Sequence, residues 1–188
     1  MSDSGEPDEA LIGRYARGDV AAFDELYRRH EMRIWRYLER NVGNRATADE
    51  LMQEVWFAVA RDAARYQPTG SFCGWLFAIA RHRMLDAQRL RRTQLRLAVA
   101  HLAAESPPGD AAGEPSPLDA ALEREQARAL RQALGQLPPE QRDAFLLQVE
   151  ADLSVEQVAA ITGSSFETTK SRLRYARGRL RELLGTYA

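Results

Sequence analysis

Apolar side chains along this chain recur every three or four residues and nowhere settle into sustained one-by-one alternation. That spacing admits amphipathic helices and argues against sheets. Phe23, Leu26, Tyr27, Ile34 and Leu38 fall on one helical face, as do Leu51, Val55 and Val59. No Asn-Gly or Asp-Gly pair sits between apolar runs to turn a hairpin. The fold class is therefore all-α.

Start and stop signals divide the chain. Asp8 can cap a short first helix ending near Gly18, and Asp19 a long second one reaching about Val42. Gly43-Asn44 stops it. Thr47 opens a third helix, with Glu50 completing a capping box, that runs to about Arg65. The stretch from Tyr66 to Gly70 breaks the pattern, and Ser71 starts a fourth helix carrying on to about Arg92. Between Ala104 and Pro117 the texture changes: Pro107, Pro108, Gly109, Gly113, Pro115 and Pro117 stand among acids with almost no large apolar residue. Such a segment buries too little surface to offset the roughly 1–2 kcal/mol of backbone entropy lost per ordered residue. It reads as a linker. Leu118 to Gly135 then forms one helix, and Pro138-Pro139 opens the next, which runs to about Glu150. Ser154 caps a short helix to Thr162, Gly163-Ser164 turns the chain, and Ser165 caps a last helix reaching about Leu184. The organisation expected is two small helical domains, 1–94 and 118–188, joined by a flexible linker over 95–117.

The formal net charge of -1 hides a strong local asymmetry. Six arginines oppose only Asp86 between Arg81 and Arg96, and six cations oppose only Glu182 from Lys170 onward. Acids dominate between them. Basic helices flanking an acidic spacer point toward nucleic acid rather than toward a uniformly charged surface. A single cysteine, Cys73, excludes an internal disulfide and fits a reducing compartment. The acidic N-terminus lacks the layout of a signal peptide. No apolar run approaches the roughly 20 residues of a membrane span, so no membrane insertion is expected and the cytoplasm is the default location.

The strongest local signal is Leu153 to Leu173. A short capped helix carrying Val158, Ala159 and Ile161 leads through a glycine turn into a second capped helix bearing Lys170, Arg172 and Arg174. Small Ala159 allows close helix approach, and Gly163 suits a tight turn. Ser165, Phe166, Glu167 and Thr168 stand where a recognition helix meets base edges. An ordinary helical hairpin with a solvated basic face gives a related pattern. Two caps, the glycine and charge on the second helix alone favour DNA. In Phe72 to Arg92, arginines beside aromatics suit unstacked bases, and they equally suit an amphipathic helix with cations near its C-terminus. In Thr47 to Ala60, Asp49, Glu50, Gln53 and Glu54 form an acidic patch that the helix dipole alone accounts for. Catalysis has little support. His30, His82, His101 and Cys73 lack metal-ligand spacing, and no phosphate loop, HExxH or nucleophile elbow is present. Neither an enzyme nor a cofactor is expected.

These pieces, in this order, resemble the extracytoplasmic-function sigma factors of the sigma-70 family, over about Ala10 to Leu184. The resemblance rests on FDELYRRH, ADELMQEVW, FCGWLFAIARHRMLD, LGQLPPEQRDAFLL and LSVEQVAAITGSSFETTKSRLRYARGRLRELL. It implies a four-helix sigma2-like domain, a helix-turn-helix sigma4-like domain, and promoter-specific initiation in partnership with core RNA polymerase, promoter DNA and an anti-sigma factor. Asp49, Glu50, Leu51, Gln53, Glu54 and Val55 match the segment docking on the clamp helices of the polymerase largest subunit. Trp75 lies near the element that captures a flipped minus-ten base, and Arg81, His82, Asp86 and Arg89 match the helix beside the minus-ten duplex edge. Ser165, Phe166, Glu167, Thr168, Lys170, Ser171 and Arg172 match the minus-thirty-five recognition helix. Three departures stand out: Thr47 where the family often has an acid, His82 where it often has Asn, and Ser164 and Thr169 where aliphatic residues are common. The last two are expected to loosen packing of the second domain. The main alternative is a stand-alone helix-turn-helix regulator.

Overall fold

A computed structural model describes residues 5–67, 70–101 and 119–185. Among the described residues eight α-helices follow one another: α1 Asp8–Tyr15, α2 Val20–Val42, α3 Arg45–Asp62, α4 Phe72–His101, α5 Asp119–Gly135, α6 Pro139–Ala151, α7 Val155–Thr162 and α8 Phe166–Leu184. A single 3₁₀ turn, Ala63–Arg65, extends α3. No strand occurs among the described residues. The all-α expectation holds.

Local chemistry sets the helix ends, and some differ from the sequence reading. Gly43 takes the left-handed conformation (φ 68°) that closes α2. Helix α3 then begins at Arg45 rather than at Thr47, because the Asn44 side chain caps it by accepting the Thr47 backbone N–H at 2.9 Å. Asp8 lies inside the first turn of α1, with Pro7 in the cap position. Its carboxylate is taken by His30 Nε2 at 2.6 Å and Arg29 Nη1 at 2.9 Å. Burial pushes that carboxyl up, but the His30 and Arg29 partners outweigh burial and hold it below its ordinary range. Glu9 reaches from the same turn to accept the Phe72 backbone N–H at 2.8 Å, so α1 caps the start of α4. The fourth helix passes Arg92 and runs through His101, since no glycine or proline interrupts the chain between Gly74 and Pro107. The linker expected over 95–117 thus begins within α4, and its residues 102–117 lie outside the described residues.

Helices α1 to α4 enclose Leu26, Ile34, Leu38, Val55, Val59, Phe72, Leu76 and Phe77, all fully buried. Each large side chain so removed from water contributes about 1.5–3 kcal/mol. Helices α5 to α8 enclose Leu134, Leu146, Leu147, Val158 and Leu173. The expected Ser154–Gln157 capping box forms in both directions, at 3.3 and 2.9 Å. Gly163 closes α7 in the left-handed conformation (φ 65°), and Ser165 caps α8.

The two groups of helices also pack on each other. Helix α6 lies across α2 and α4, α5 touches α2, and α7 touches α4, so the buried residues form one continuous cluster. The sequence reading anticipated two small helical domains joined by a flexible linker.

Thr169 is fully buried on α8, and its hydroxyl finds no hydrogen-bond partner among the described residues. A buried unsatisfied hydroxyl is costly, and a valine methyl fits the same space. Thr169→Val is expected to stabilise the protein by about 1 kcal/mol, a rise of roughly 2–4 °C in Tm. Calorimetry checks this, and an unchanged or lowered Tm would mean that the hydroxyl is satisfied in solution.

Candidate nucleic-acid interface

Helix α8 and its cap carry the seven residues expected to meet the minus-thirty-five element. Ser165 Oγ accepts the Thr168 backbone N–H at 3.2 Å and donates to Thr168 Oγ1 at 2.8 Å, fixing the first turn. Phe166, Glu167, Thr168 and Lys170 are exposed along that turn, and Ser171 and Arg172 are half-buried. Lys170 Nζ sits 5.8 Å from the Phe166 ring centroid, a cation–π approach that pre-sets its direction. Arg172 Nη1 donates to Ser164 Oγ at 2.6 Å. Ser164, where the family commonly has an aliphatic residue, thus anchors an arginine.

Arg174, one of the cations noted on this helix, and Tyr175, which the sequence reading did not single out, extend this surface. Arg174 and Tyr175 are exposed, with the guanidinium 5.0 Å above the ring centroid. Lys170, Arg174 and Arg177 recur at helical spacing and share a face. That periodicity was present in the sequence and lines up a cationic edge along the helix.

Helix α4 divides its predicted residues between two directions. His82, Asp86 and Arg89 face outward together. His82 Nδ1 stands 3.2 Å from Asp86 Oδ2, and Arg89 Nη1 donates to Asp86 Oδ1 at 3.3 Å. Trp75 is half-buried beside Tyr66 and Phe72, whose ring centroids lie 5.1 and 5.8 Å from its own. Arg81 departs from the expected DNA edge. It lies a helical step away from His82 and turns toward the second group of helices, donating from Nε to Asp143 Oδ2 at 2.7 Å and from Nη1 to the Ile161 carbonyl at 3.2 Å.

Helix α3 separates its predicted residues into a face and a core. Asp49, Glu50, Gln53 and Glu54 are exposed. Leu51 and Val55 are buried, 2% and 0% exposed, because they carry the apolar stripe that packs α3 on the core. They hold the helix in place and do not belong to its outer surface. Asp49 accepts the Trp35 indole N–H at 2.7 Å, and the Arg45 guanidinium lies 5.8 Å from the same ring system. Sequence reasoning missed Phe57, which is 80% exposed. It follows Gln53 and Glu54 by four and three residues, placing it on the acidic face rather than on the core stripe. Beside it, an apolar groove of about 400 Å³ runs between α2 and α3, lined by Phe23, Tyr27, Met52, Gln53, Trp56, Phe57 and Ala60. The exposed acids of α3 thus stand on the same helix as one wall of an apolar groove.

Among the described residues, no three His, Cys, Asp or Glu side chains gather to hold a metal ion, and no helix is long and apolar enough to cross a membrane.

Comparison with known proteins places these surfaces in a family. Sigma-70 region 2 matches residues 26–95, which include α3 and most of α4, and Sigma-70, region 4 matches residues 127–180, which include α6, α7 and most of α8. The ECF RNA polymerase sigma factor SigE of Mycolicibacterium smegmatis is 35% identical over 100% of this chain and 73% of its own. The RNA polymerase sigma factor CarQ of Myxococcus xanthus is 36% identical over 92% of this chain and 94% of its own. The solved structure of the sigma factor RpoE from Bartonella quintana, in complex with the anti-sigma factor NepR, is similar at 25% identity and a TM-score of 0.69, covering 87% of this chain and 96% of that one. The exposed first turn of α8 and the acidic face of α3 thus lie within the two matched regions, and the chain belongs to the extracytoplasmic-function RNA polymerase sigma factors of the sigma-70 family.

Proposed function

We propose that the chain binds core polymerase through α3 and reads promoter DNA at two places, through the outer face of α4 and the N-terminal half of α8. The observation that carries this reading is the pre-set first turn of α8. Its capped Ser165, the Lys170 held against Phe166 and the Arg172 held by Ser164 leave a small, rigid, cationic surface at a helix N-terminus. Pre-set side chains lose less entropy on binding, and cations on such a helix neutralise phosphates while its first turn meets base edges.

Trp75, His82, Asp86 and Arg89 serve the minus-ten element, where an aromatic supports an unstacked base and the polar groups address backbone and duplex edge. Ser165, Phe166, Glu167, Thr168, Lys170, Ser171 and Arg172, with Arg174 added, serve the minus-thirty-five element. Asp49, Glu50, Gln53, Glu54 and Phe57 form the polymerase-facing surface. The chemistry is binding without bond-breaking: stabilising unpaired bases offsets an unstacking cost of a few kcal/mol per base. An anti-sigma factor that covers these surfaces controls the protein, which acts in the cytoplasm with the transcription machinery.

The double variant Lys170→Ala/Arg172→Ala is expected to reduce promoter-dependent initiation by reconstituted polymerase at least about tenfold, with core binding unchanged in an anisotropy titration. Equal activity of variant and parent would remove α8 from promoter reading. A gel shift without polymerase decides against a stand-alone regulator: free protein should give no tight, specific complex. Separately, Glu50→Lys/Glu54→Lys is expected to weaken core binding about tenfold through charge reversal, with an unchanged melting profile. Undiminished core binding would place the docking surface elsewhere.

A further inference from the structure

The first backbone N–H groups of any helix lack partners within it. At the start of α4, two such donors are answered by side chains. Ser71 takes one from just before the helix, its Oγ accepting the Gly74 N–H at 3.1 Å. The other is the N–H of Phe72, a residue with no exposure to water, and Glu9 Oε1 of α1 accepts it at 2.8 Å across sixty-three positions of the chain. Glu9 stands on a helix that is itself held. Its neighbour Asp8 meets His30 Nε2 at 2.6 Å and Arg29 Nη1 at 2.9 Å, both on α2, and His30 is buried. Arg29 Nη1 also donates to the Glu6 carbonyl at 2.8 Å. The His30 ring centroid lies 5.5 Å from that of Phe72. Helices α1 and α2 thus grip the first residue of α4 by its backbone and by its ring.

What that first turn carries is aromatic. Phe72 lies 5.8 Å from Trp75 and 6.1 Å from Tyr66 between ring centroids, and Tyr66 lies 5.1 Å from Trp75. The Tyr66 hydroxyl donates to the Gly70 carbonyl at 3.2 Å. A Cβ on Gly74 would stand 3.2 Å from Ser71 Oγ, so the turn is tight. Tyr66, Gly70, Ser71, Gly74 and Trp75 border a hollow of about 250 Å³, whose other side is α7. An aromatic platform discriminates only when its ring is held to within about 0.5 Å and roughly 10–20°. The direction of the Trp75 ring follows the path of the first turn, and the Phe72 N–H bond fixes that path. Beyond the turn, Leu76, Phe77 and Ala80 are fully buried and keep the body of α4 in place without help from α1.

We propose that Glu9 is a positioning residue for minus-ten base capture, which by accepting the Phe72 N–H fixes the first turn of α4 and the Trp75 ring that an unstacked base meets. This deepens the minus-ten reading given above and rests on it. Glu9 touches no base. It acts through Phe72, while Asp8, His30 and Arg29 keep α1 seated on α2 so that the carboxylate arrives at the right place. A carboxylate suits the task because a charge-assisted bond to a backbone N–H is shorter and stronger than a neutral one. Leu11 and Ile12 carry the packing of α1, so the helix contributes to the core without Glu9. Three substitutions separate reach from charge. Glu9→Gln keeps an acceptor oxygen at the same reach and loses the charge, Glu9→Asp keeps the charge and ends one methylene short, and Glu9→Ala lacks both.

Holoenzyme reconstituted from core polymerase and the full-length chain is titrated with a single-stranded oligonucleotide. The probe carries the nontemplate strand of a promoter on which the parent initiates, with 2-aminopurine replacing one minus-ten base at a time. Glu9→Ala and Glu9→Asp are expected to weaken probe binding about tenfold, within what one base–aromatic stack carries, and to abolish the fluorescence change at the captured position. Their affinities for core polymerase and for a duplex holding only the minus-thirty-five element should equal those of the parent. Glu9→Gln is expected to stay within about twofold of the parent on every readout. Thermal melts establish that each variant is folded. A Glu9 that serves stability alone lowers Tm and leaves the probe unaffected, so a folded Glu9→Ala holoenzyme that binds the probe like the parent overturns the proposal. Glu9→Gln failing as badly as Glu9→Ala overturns it too, because reach would then not be what matters. Should Glu9→Ala not fold, the contrast between Gln and Asp decides alone, and equal probe binding by those two overturns it. A parent holoenzyme that initiates yet changes the fluorescence of no substituted probe sinks the minus-ten reading itself, and the proposal with it.

Discussion

Asp143 and Glu150 sit on α6 with almost no access to water, and the arrangement of the molecule follows from where positive charge must stand to satisfy them. Arg36 and Arg40 on one stripe of α2 answer Glu150; Tyr37 on that stripe and Arg81 on α4 answer Asp143. Helix α2 is therefore used twice. Its stripe of Leu26, Ile34 and Leu38 builds the first core, and its arginine stripe receives the second helix group. Removing the arginines would leave a buried carboxylate without positive charge beside it, which costs far more than the intact pairs contribute.

That division explains how one short chain carries surfaces for different partners. On α3 the buried stripe of Leu51, Val55 and Val59 leaves Glu50, Gln53, Glu54 and Phe57 outside, an acidic rim beside an apolar groove. On α4 the outward His82, Asp86 and Arg89 are one helical step from the inward Arg81, so neighbouring residues face solvent and the seam between the helix groups respectively. On α8 the buried Thr169, Leu173 and Ala176 hold the helix while Phe166, Lys170 and Arg174 project. Helical periodicity separates binding from packing in each case.

What the sequence disclosed was what local rules govern. The Ser154–Gln157 box, the Gly163 turn and the Ser165 cap are encoded within a few residues, and they appear where their chemistry puts them. Long-range chemistry was not legible. Asp8 reads as a cap from its neighbours, but His30, twenty-two residues away, claims its carboxylate. Asn44 outcompetes Thr47 as a cap because it stands directly after the left-handed Gly43, a choice that backbone geometry makes. Arg81 reads as one of six arginines on a basic helix, and only the approach of Asp143, sixty-two residues on, turns it inward. Phe57 was hidden for the opposite reason: an aromatic within an apolar run reads as core until its register against Glu54 is followed.

The packing of the two helix groups through buried charge is the claim from which the account of the free protein follows. Small-angle X-ray scattering of the full-length chain without polymerase measures it directly. The account predicts a single-lobed pair-distance distribution with a radius of gyration near ~16 Å, the value for a compact chain of this length. A two-peaked distribution from separated lobes, with a radius of gyration well above that value, would contradict it.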